Sequence, residues 1–447
     1  MRWWIYQALF AVVYVALLPR FLLRMCRRGG YANRFADRFG HYPREVSEKL
    51  AELRGKAVWI HAVSVGEVYV AAQMMAALRE QMPDIRFVFS TTSSTGWTEA
   101  SQRVTDRDVL IYCPLDFPPC VKRALDAVQP RAFILTETEI WPNLIRSCHR
   151  RGIPLFLINA RVSDHSAPGY RRLRYWFGPV LQMFTRIFAQ SEQDRDRLTD
   201  AGADPETVEV TGSFKFDTAR RAPEKEKAVR EFLDQYGCGG DRRVLLGGST
   251  WPGEDEILVT IYQKLRSSFP RLRLVLVPRH FEKADAVQAT VERAGFVCVR
   301  KSKLRPTPDI LLQQAMERGD GVIVADTTGE LMGFYGNARI AFVGKTMCEK
   351  ERGGQNMIEP CLCGCATVTG PHTENFRPVM ADLLASDAVL QVCGREKLTA
   401  QIWQLLSDDQ KCETLGARAV AAVEKRRGVV SKCAREMLAL LEERKQA

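Results

Sequence analysis

Short runs of Val, Ile, Leu and Phe with almost no polar residue inside them recur along this chain, separated by stretches of ten to twenty residues that read as helix. A strand with one wet face alternates apolar and polar residues, so continuous apolarity marks strands buried on both faces. Seven such runs fill the first half, at 58–62, 85–90, 109–113, 132–136, 154–160, 187–190 and 208–211. Six fill the second, at 244–247, 272–277, 296–299, 322–325, 340–343 and 366–369. Strand and helix in alternation predict an α/β chain built on parallel, doubly wound sheets. At 447 residues it is too long for one ordinary core, and a charged, Gly-rich interval at 218–240 reads as a linker between two of them.

Two Rossmann-like domains facing each other across a cleft follow, at 29–217 and 241–447, with ligands expected at the carboxyl ends of the strands. This is the GT-B architecture. Ahead of it, 1–28 reads as a membrane-anchor helix with a basic flank. The run from Trp3 to Leu18 is apolar except for Gln7, which is marginal for a span of about 20 residues. Arg20, Arg24, Arg27 and Arg28 follow in place of a cleavage site, and by the positive-inside rule they keep the body on the cytoplasmic side. A helix lying flat in the interface is the other reading.

The charge supports a membrane rather than a nucleic-acid partner. Lys and Arg number 64 against 53 Asp and Glu, a formal +11, and the first 60 residues hold eleven basic and four acidic side chains, +7 of that excess. Thirteen cysteines form no CxxC pair, and Cys361, Cys363 and Cys365 read as buried thiols rather than ligands, so neither a metal nor a cofactor is expected. Asp106 and Asp108, and likewise Asp194 and Asp196, have the DxD form of metal-dependent transferases but read as solvated faces.

Several strand ends carry chemistry. The first runs from His61 through Ser64 and Gly66 to Glu67; Gly66 lets a ligand approach the backbone, and a carboxylate in the first turn of a helix stays ionised, as a general base requires. Arg279 and His280 close another strand, where Arg279 offers a planar fork to phosphate or carboxylate. Gly247 to Thr250, and Thr327 to Leu331 with Gly329 and Glu330, end strands and open helices whose free amides suit an anion. Asn356 and Glu359, three apart after Gly353 and Gly354, share a helix face suited to a ribose diol. Capping and surface roles explain each of these singly as well.

Taken together, these residues resemble one family, the 3-deoxy-D-manno-oct-2-ulosonic acid (Kdo) transferases of lipopolysaccharide synthesis. The resemblance runs through Arg38 to Gly40, His61 to Glu67, Glu137 to Asn143 with Glu139 inside it, Asn159 to Arg161, Gly212 to Asp217, Pro278 to His280, Gly329 to Leu331, Glu351 to Pro360 and Gly370 to Phe376. It implies metal-independent, inverting transfer of Kdo from CMP-Kdo to a lipid A precursor at the inner membrane surface. It gives 29–217 the acceptor and 241–447 the CMP-sugar. Glu67 matches the base. Ser249, Arg279, His280, Gly329, Glu330, Gly353, Gly354, Asn356 and Glu359 fall on the donor side with Lys215 at the hinge, and Arg38, Ser64, Gly66 and Glu139 on the acceptor side. Three positions depart from the family pattern: Asp37 for Glu, Gln355 for His and Lys345 for Gly. A nonhydrolysing UDP-sugar 2-epimerase is the alternative enzyme, and a basic membrane or nucleic-acid module the alternative outside catalysis.

Overall fold

A computed structural model describes residues 3–28, 34–239, 243–304, 309–348 and 351–446, except for the side chains of 18–28 and 445–446. Its strands follow the apolar runs. The first sheet holds β1 (Val58–His61), β2 (Phe87–Thr91), β3 (Val109–Tyr112), β4 (Ala132–Thr136), β5 (Leu155–Ala160), β6 (Arg186–Ala189) and β7 (Val208–Val210). The second holds β8 (Arg243–Thr250), β9 (Leu272–Pro278), β10 (Val297–Arg300), β11 (Gly321–Val324), β12 (Ile340–Val343), β13 (Ala366–Thr369) and β14 (Leu390–Gln391). Their orders are β3-β2-β1-β4-β5-β6-β7 and β10-β11-β9-β8-β12-β13-β14, and every pairing is parallel. β1, β2, β4 and β5 are buried at every position, the reason their sequences show no alternation. β14 is two residues long and too short to leave an apolar run.

The chain divides into one compact unit of Met1–Phe214 with Gly428–Ala447 and a second of Lys215–Arg427. Two domain assignments from the sequence are thereby corrected. The interval taken for a linker contains the helix Pro223–Gln235, whose Val229 and Leu233 are buried together with Tyr236, Leu246 and Phe334 of the second unit. Its apolar residues are few but lie one turn apart, which is enough for one face. The last helix, Val429–Gln446, is not part of the second domain. Its Val430, Cys433, Met437 and Leu441 join Ile60, Met74 and Phe214 in the core of the first.

The first helix, Trp3–Arg28, docks on the first unit along one side. Tyr6 donates a 2.7 Å hydrogen bond to Asp116, and Phe10 and Tyr14 meet the Phe117 ring edge-on at 5.0 and 5.4 Å. The Arg146 guanidinium lies 4.5 Å over the Trp3 ring. The opposite side leaves Trp4, Leu9, Val12, Val13, Val15 and Leu17 exposed. Among the described residues no helix is long and apolar enough to cross a membrane. The side chains of Arg20, Arg24, Arg27 and Arg28 lie outside those described.

Because Met437 is 1% exposed inside the first unit's core, Met437→Ala should destabilise that unit by about 2–4 kcal/mol. Urea unfolding checks this, and an unchanged midpoint would return the last helix to the second unit.

Candidate active site

The connections leave in opposite directions between β1 and β4 in the first sheet and between β8 and β12 in the second, where β10 and β11 are also interchanged at the far edge. At such a point the loops leaving neighbouring strands part to opposite sides and open a crevice at the carboxyl edge. Ser64, Gly66, Glu67 and Glu139 follow β1 and β4, and Ser249, Gly353, Gly354, Asn356 and Glu359 follow β8 and β12, whereas Gly329 and Glu330 follow β11, two strands from the reversal. Backbone strain gathers at the same edges. Of the seven non-glycine residues with positive φ among those described, Glu137, Asn159, Ser249 and Lys345 stand at or just beyond the ends of β4, β5, β8 and β12.

In the first unit β1 ends at His61, and Ser64 caps the helix Val65–Gln81. Ser64 Oγ accepts from the Glu67 amide at 3.3 Å while the Ser64 amide donates back to Glu67 Oε1 at 3.2 Å, a reciprocal capping box. Ser64 Oγ also donates to Oε1 at 2.7 Å, and the Val63 amide donates to Oε2 at 3.0 Å. Thr136, the last residue of β4, shares its hydroxyl proton between Glu67 Oε2 at 3.0 Å and the His61 carbonyl at 3.1 Å. The helix dipole adds to these donors, and Glu67 is buried, 7% exposed as a residue. A Cβ on Gly66 would meet only Ser64 Oγ, at 3.9 Å, so the backbone there is open to approach.

Glu139 stands with Glu67. Burial first, then the Glu67 and Glu137 carboxylates, push its carboxyl up to about 7. Glu137 is held by Arg161 at 3.2 Å. Arg38 reaches the same edge, donating to the Thr92 carbonyl at 2.8 Å beyond β2 with its guanidinium 4.3 Å over the Tyr112 ring. Asp37 is fully buried, paired with Arg34 at 2.8 Å and accepting from the Tyr112 amide, so the carboxylate at this departure from the family pattern anchors its turn. Sequence reasoning missed Thr136 and also Asp116, which accepts from the Asn143 and Leu144 amides at 2.9 and 2.8 Å and so fixes the helix that follows Trp141. An acid between a strand end and Pro118 was the one available signal.

In the second unit Glu359 is joined by Asn356 Nδ2 at 3.1 Å, and Asn356 Oδ1 caps the Ile358 amide at 3.1 Å. Burial raises the Glu359 carboxyl, and its Asn356 bond and the Arg279 charge oppose that. Arg279, Asn356 and Glu359 thus form one group. Ser249 holds φ 52° at the end of β8, and a Cβ on Gly344 beyond β12 would lie 2.1 Å from its carbonyl oxygen, so the two strand ends touch. Gly353 and Gly354 take φ 127° and 75°, and their loop is tied back by the Gly354 amide to the Lys345 carbonyl at 2.9 Å. Lys215, the first residue of this unit at its junction with the other, donates to the Asn375 carbonyl at 2.8 Å, and the Asn375 amide to Gly353 O at 2.9 Å.

Lys345 holds φ 61°, which explains why glycine suits the position, and its ammonium lies 4.5 Å over the Trp251 ring. The Gln355 amide donates to the Gly344 carbonyl at 3.2 Å. His280 stands edge-on to Trp251 at 5.2 Å. Glu330 is bound by Lys301 at 2.7 and 2.9 Å, and the Gly329 carbonyl accepts from Lys225 at 2.7 Å, so this turn is engaged with its own unit. Glu254, fully buried, accepts from the Trp251, Lys345, Thr346 and Met347 amides and fixes the loop after β12.

The DxD expectation is corrected at Asp108 and Asp194, which are buried rather than solvated. Asp108 pairs with Arg79 and accepts from the Thr105 and Phe87 amides; Asp194 accepts from the Val162 amide at 2.8 Å. Neither leaves an open carboxylate pair. Among the described residues no three His, Cys, Asp or Glu side chains gather as metal donors.

Two parallel sheets, each with its polar residues at the reversal of strand order, define a GT-B-type enzyme. The fold is similar to UDP-GlcNAc 2-epimerase from Neisseria meningitidis bound to UDP-GlcNAc, with a TM-score of 0.55 over 86% of this chain and 99% of that one, at 14% identity. That likeness concerns the fold alone. Residues 33–218 match the family described as 3-Deoxy-D-manno-octulosonic-acid transferase (kdotransferase). The 3-deoxy-D-manno-octulosonic acid transferase of Haemophilus influenzae is 31% identical over 405 residues, 90% of each chain, and that of Bordetella pertussis 33% over 426 residues, 91% of this chain and 92% of the relative. The chain belongs to the 3-deoxy-D-manno-octulosonic acid transferase family.

His61 is fully buried with Nδ1 2.9 Å from Ser90 Oγ and 3.1 Å from the Ser90 carbonyl, and burial lowers its pKa to about 4. The unfolded chain, titrating near 6.5, binds this proton more readily, so stability from this group is present above 6.5 and is lost as pH falls toward 4. NMR of labelled histidine should show the His61 ring neutral and unchanging from about pH 8 to pH 5. A midpoint near 6.5 would contradict the burial.

Proposed function

We propose that the chain transfers Kdo from CMP-Kdo to the lipid A precursor of lipopolysaccharide, with inversion and without a metal. The observation that carries this is the pairing of family membership with a carboxylate, Glu67, fixed at the strand-order reversal of the first unit. The first unit takes the acceptor, with Ser64, Gly66, Arg38 and Glu139 about its hydroxyl, and Glu67 receives the proton. The second takes the donor. Asn356 and Glu359 accept the ribose hydroxyls, while Arg279, Lys215 and the turns at Ser249, Gly329 and Gly353 face the phosphate and the Kdo carboxylate.

The chemistry divides accordingly. As the acceptor oxygen approaches the anomeric carbon, positive character grows on the sugar and negative charge on the departing cytidylate. Arg279 stabilises the latter. A phosphate leaves without a proton, so the one essential proton transfer is from the acceptor hydroxyl. The epimerase alternative shares the fold but not the family.

Glu67→Gln should lower kcat by about 10²–10⁴-fold while CMP-Kdo still binds. Mass spectrometry of lipid products made from CMP-Kdo and lipid A precursor reads both the sugar and the number added. Consumption of UDP-GlcNAc instead, or full turnover by Glu67→Gln, would overturn this reading.

The body works at the cytoplasmic face of the inner membrane, held there by the first helix. Its docked side, with Tyr6 bonded to Asp116 and two aromatic rings on Phe117, supports a helix lying in the interface; among its described side chains the exposed side offers Trp4, Leu9, Val12, Val13, Val15, Leu17 and alanines to the acyl boundary. Basic residues after it favour anionic lipid. Val12→Glu with Val13→Glu should cut recovery on anionic vesicles at least about tenfold, since two buried charges replace apolar area. Unchanged co-sedimentation would remove the helix from membrane binding.

A further inference from the structure

Glu67 is placed to take a proton and at the same time is closed off. Oε1 already faces the Ser64 amide and hydroxyl at 3.2 and 2.7 Å, and Oε2 faces the Val63 amide and the Thr136 hydroxyl, both at 3.0 Å. Each oxygen of a carboxylate offers two lone-pair directions, so all four are turned toward the protein. An acceptor hydroxyl arriving from solvent finds Glu67 buried, the residue 7% exposed, and its carboxylate with no free direction.

One of the four donors differs from the rest. The Val63 and Ser64 donors are backbone amides, which cannot exchange roles, and Thr136 is fully buried. Ser64 alone is an exposed residue with a hydroxyl. Its oxygen has one hydrogen, given to Glu67 at 2.7 Å, and two lone pairs, of which the Glu67 amide takes one at 3.3 Å. The remaining lone pair is open to a third partner. Beside it Gly66 presents no side chain, and a Cβ there would find only Ser64 Oγ within 4 Å. A sugar hydroxyl can therefore come up to Ser64 Oγ where it cannot reach Glu67.

We propose that Ser64 is a catalytic residue that relays the acceptor's proton to Glu67. The acceptor O–H bond breaks as its proton passes to Ser64 Oγ, and the Ser64 proton passes to Glu67 Oε1, which becomes the neutral acid. The freed electron pair on the acceptor oxygen forms the bond to the anomeric carbon, and the pair of the old carbon–oxygen bond leaves with the cytidylate phosphate. Ser64 ends as it began, one proton exchanged for another. The relay deepens the reading of Glu67 as base and depends on it.

The test separates the cap from the relay. Asn caps a helix about as well as Ser but carries no hydroxyl, and Thr keeps both functions. In single-turnover assays of the full chain with CMP-Kdo and lipid A precursor, Ser64→Asn should lose about 10²-fold or more in rate with its acceptor KM, CMP-Kdo affinity and melting temperature held, while Ser64→Thr stays within a few-fold of the parent. A proton inventory of the parent in H₂O and D₂O mixtures should curve, as two protons move together. Full activity in Ser64→Asn, or a linear inventory, overturns the relay; if Ser64→Asn does not fold, the inventory decides. The base reading fails separately: Glu67→Gln turning over normally removes it, whereas an inactive Glu67→Gln beside an active Ser64→Asn removes the relay alone.

Discussion

Every strand pairing in both sheets is parallel, and the rest of the structure follows from that. Parallel strands end on one edge, so every loop that leaves a strand starts there, and every helix that follows presents its amino end to the same place. Where the strand order reverses, the crowding eases. The chain then needs only polar residues at those strand ends to make a site, which is where Glu67, Thr136, Ser249 and the loop of Gly353 and Gly354 are found. Among the described non-glycine residues the opposite edge has Gln129 and Asp387 with positive φ, against four at the carboxyl edge.

Holding loops still at an open edge calls for more than packing. The same device recurs through the molecule: a buried carboxylate gathers backbone amides that no helix or sheet partner satisfies. Glu67, Asp108, Asp116, Asp194 and Glu254 all do this. For Asp116 burial wins over the donors and pushes its carboxyl up to about 6, and the order is the same, as a direction, for Asp194 and Glu254. Asp116, Asp194 and Glu254 organise the carboxyl edge without being available to a ligand, and Asp108, just before β3 and bonded to the first residue of β2, does the same at the opposite edge. Glu67 shares their geometry, and what sets it apart is the exposed Ser64 in front of it.

The architecture was largely legible because burial on both faces removes alternation from most of the strands; β7 and β10 are only partly buried, and β14, with two residues, had no room for an apolar run. Sequence motifs put Glu67 and Arg279 just beyond strand ends, where they stand, since strand, turn and helix are local; Asn356, read as sharing a helix face with Glu359, instead precedes that helix and caps it. What stayed hidden depended on partners far along the chain. Thr136 meets Glu67 across 69 residues, and Glu254 meets Thr346 across 92. The helix Pro223–Gln235 resembled a linker because its single apolar face is diluted by charge, and the final helix gave no sign that it packs in the first core. The DxD pairs misled for a similar reason: a charged residue beside others reads as solvated until its buried amides are seen.

That final helix has a consequence for biosynthesis. The core around Ile60, Met74 and Phe214 is complete only when Cys433, Met437 and Leu441 arrive, and residues 215–427 must be made in between. At about 5–20 residues per second those 213 residues occupy roughly ten to forty seconds of translation. Throughout that time the nascent first unit shows an uncovered greasy face against the helix Val65–Gln81. It is a ready client for a ribosome-bound chaperone, whereas the second unit is whole as soon as its own last residue clears the tunnel.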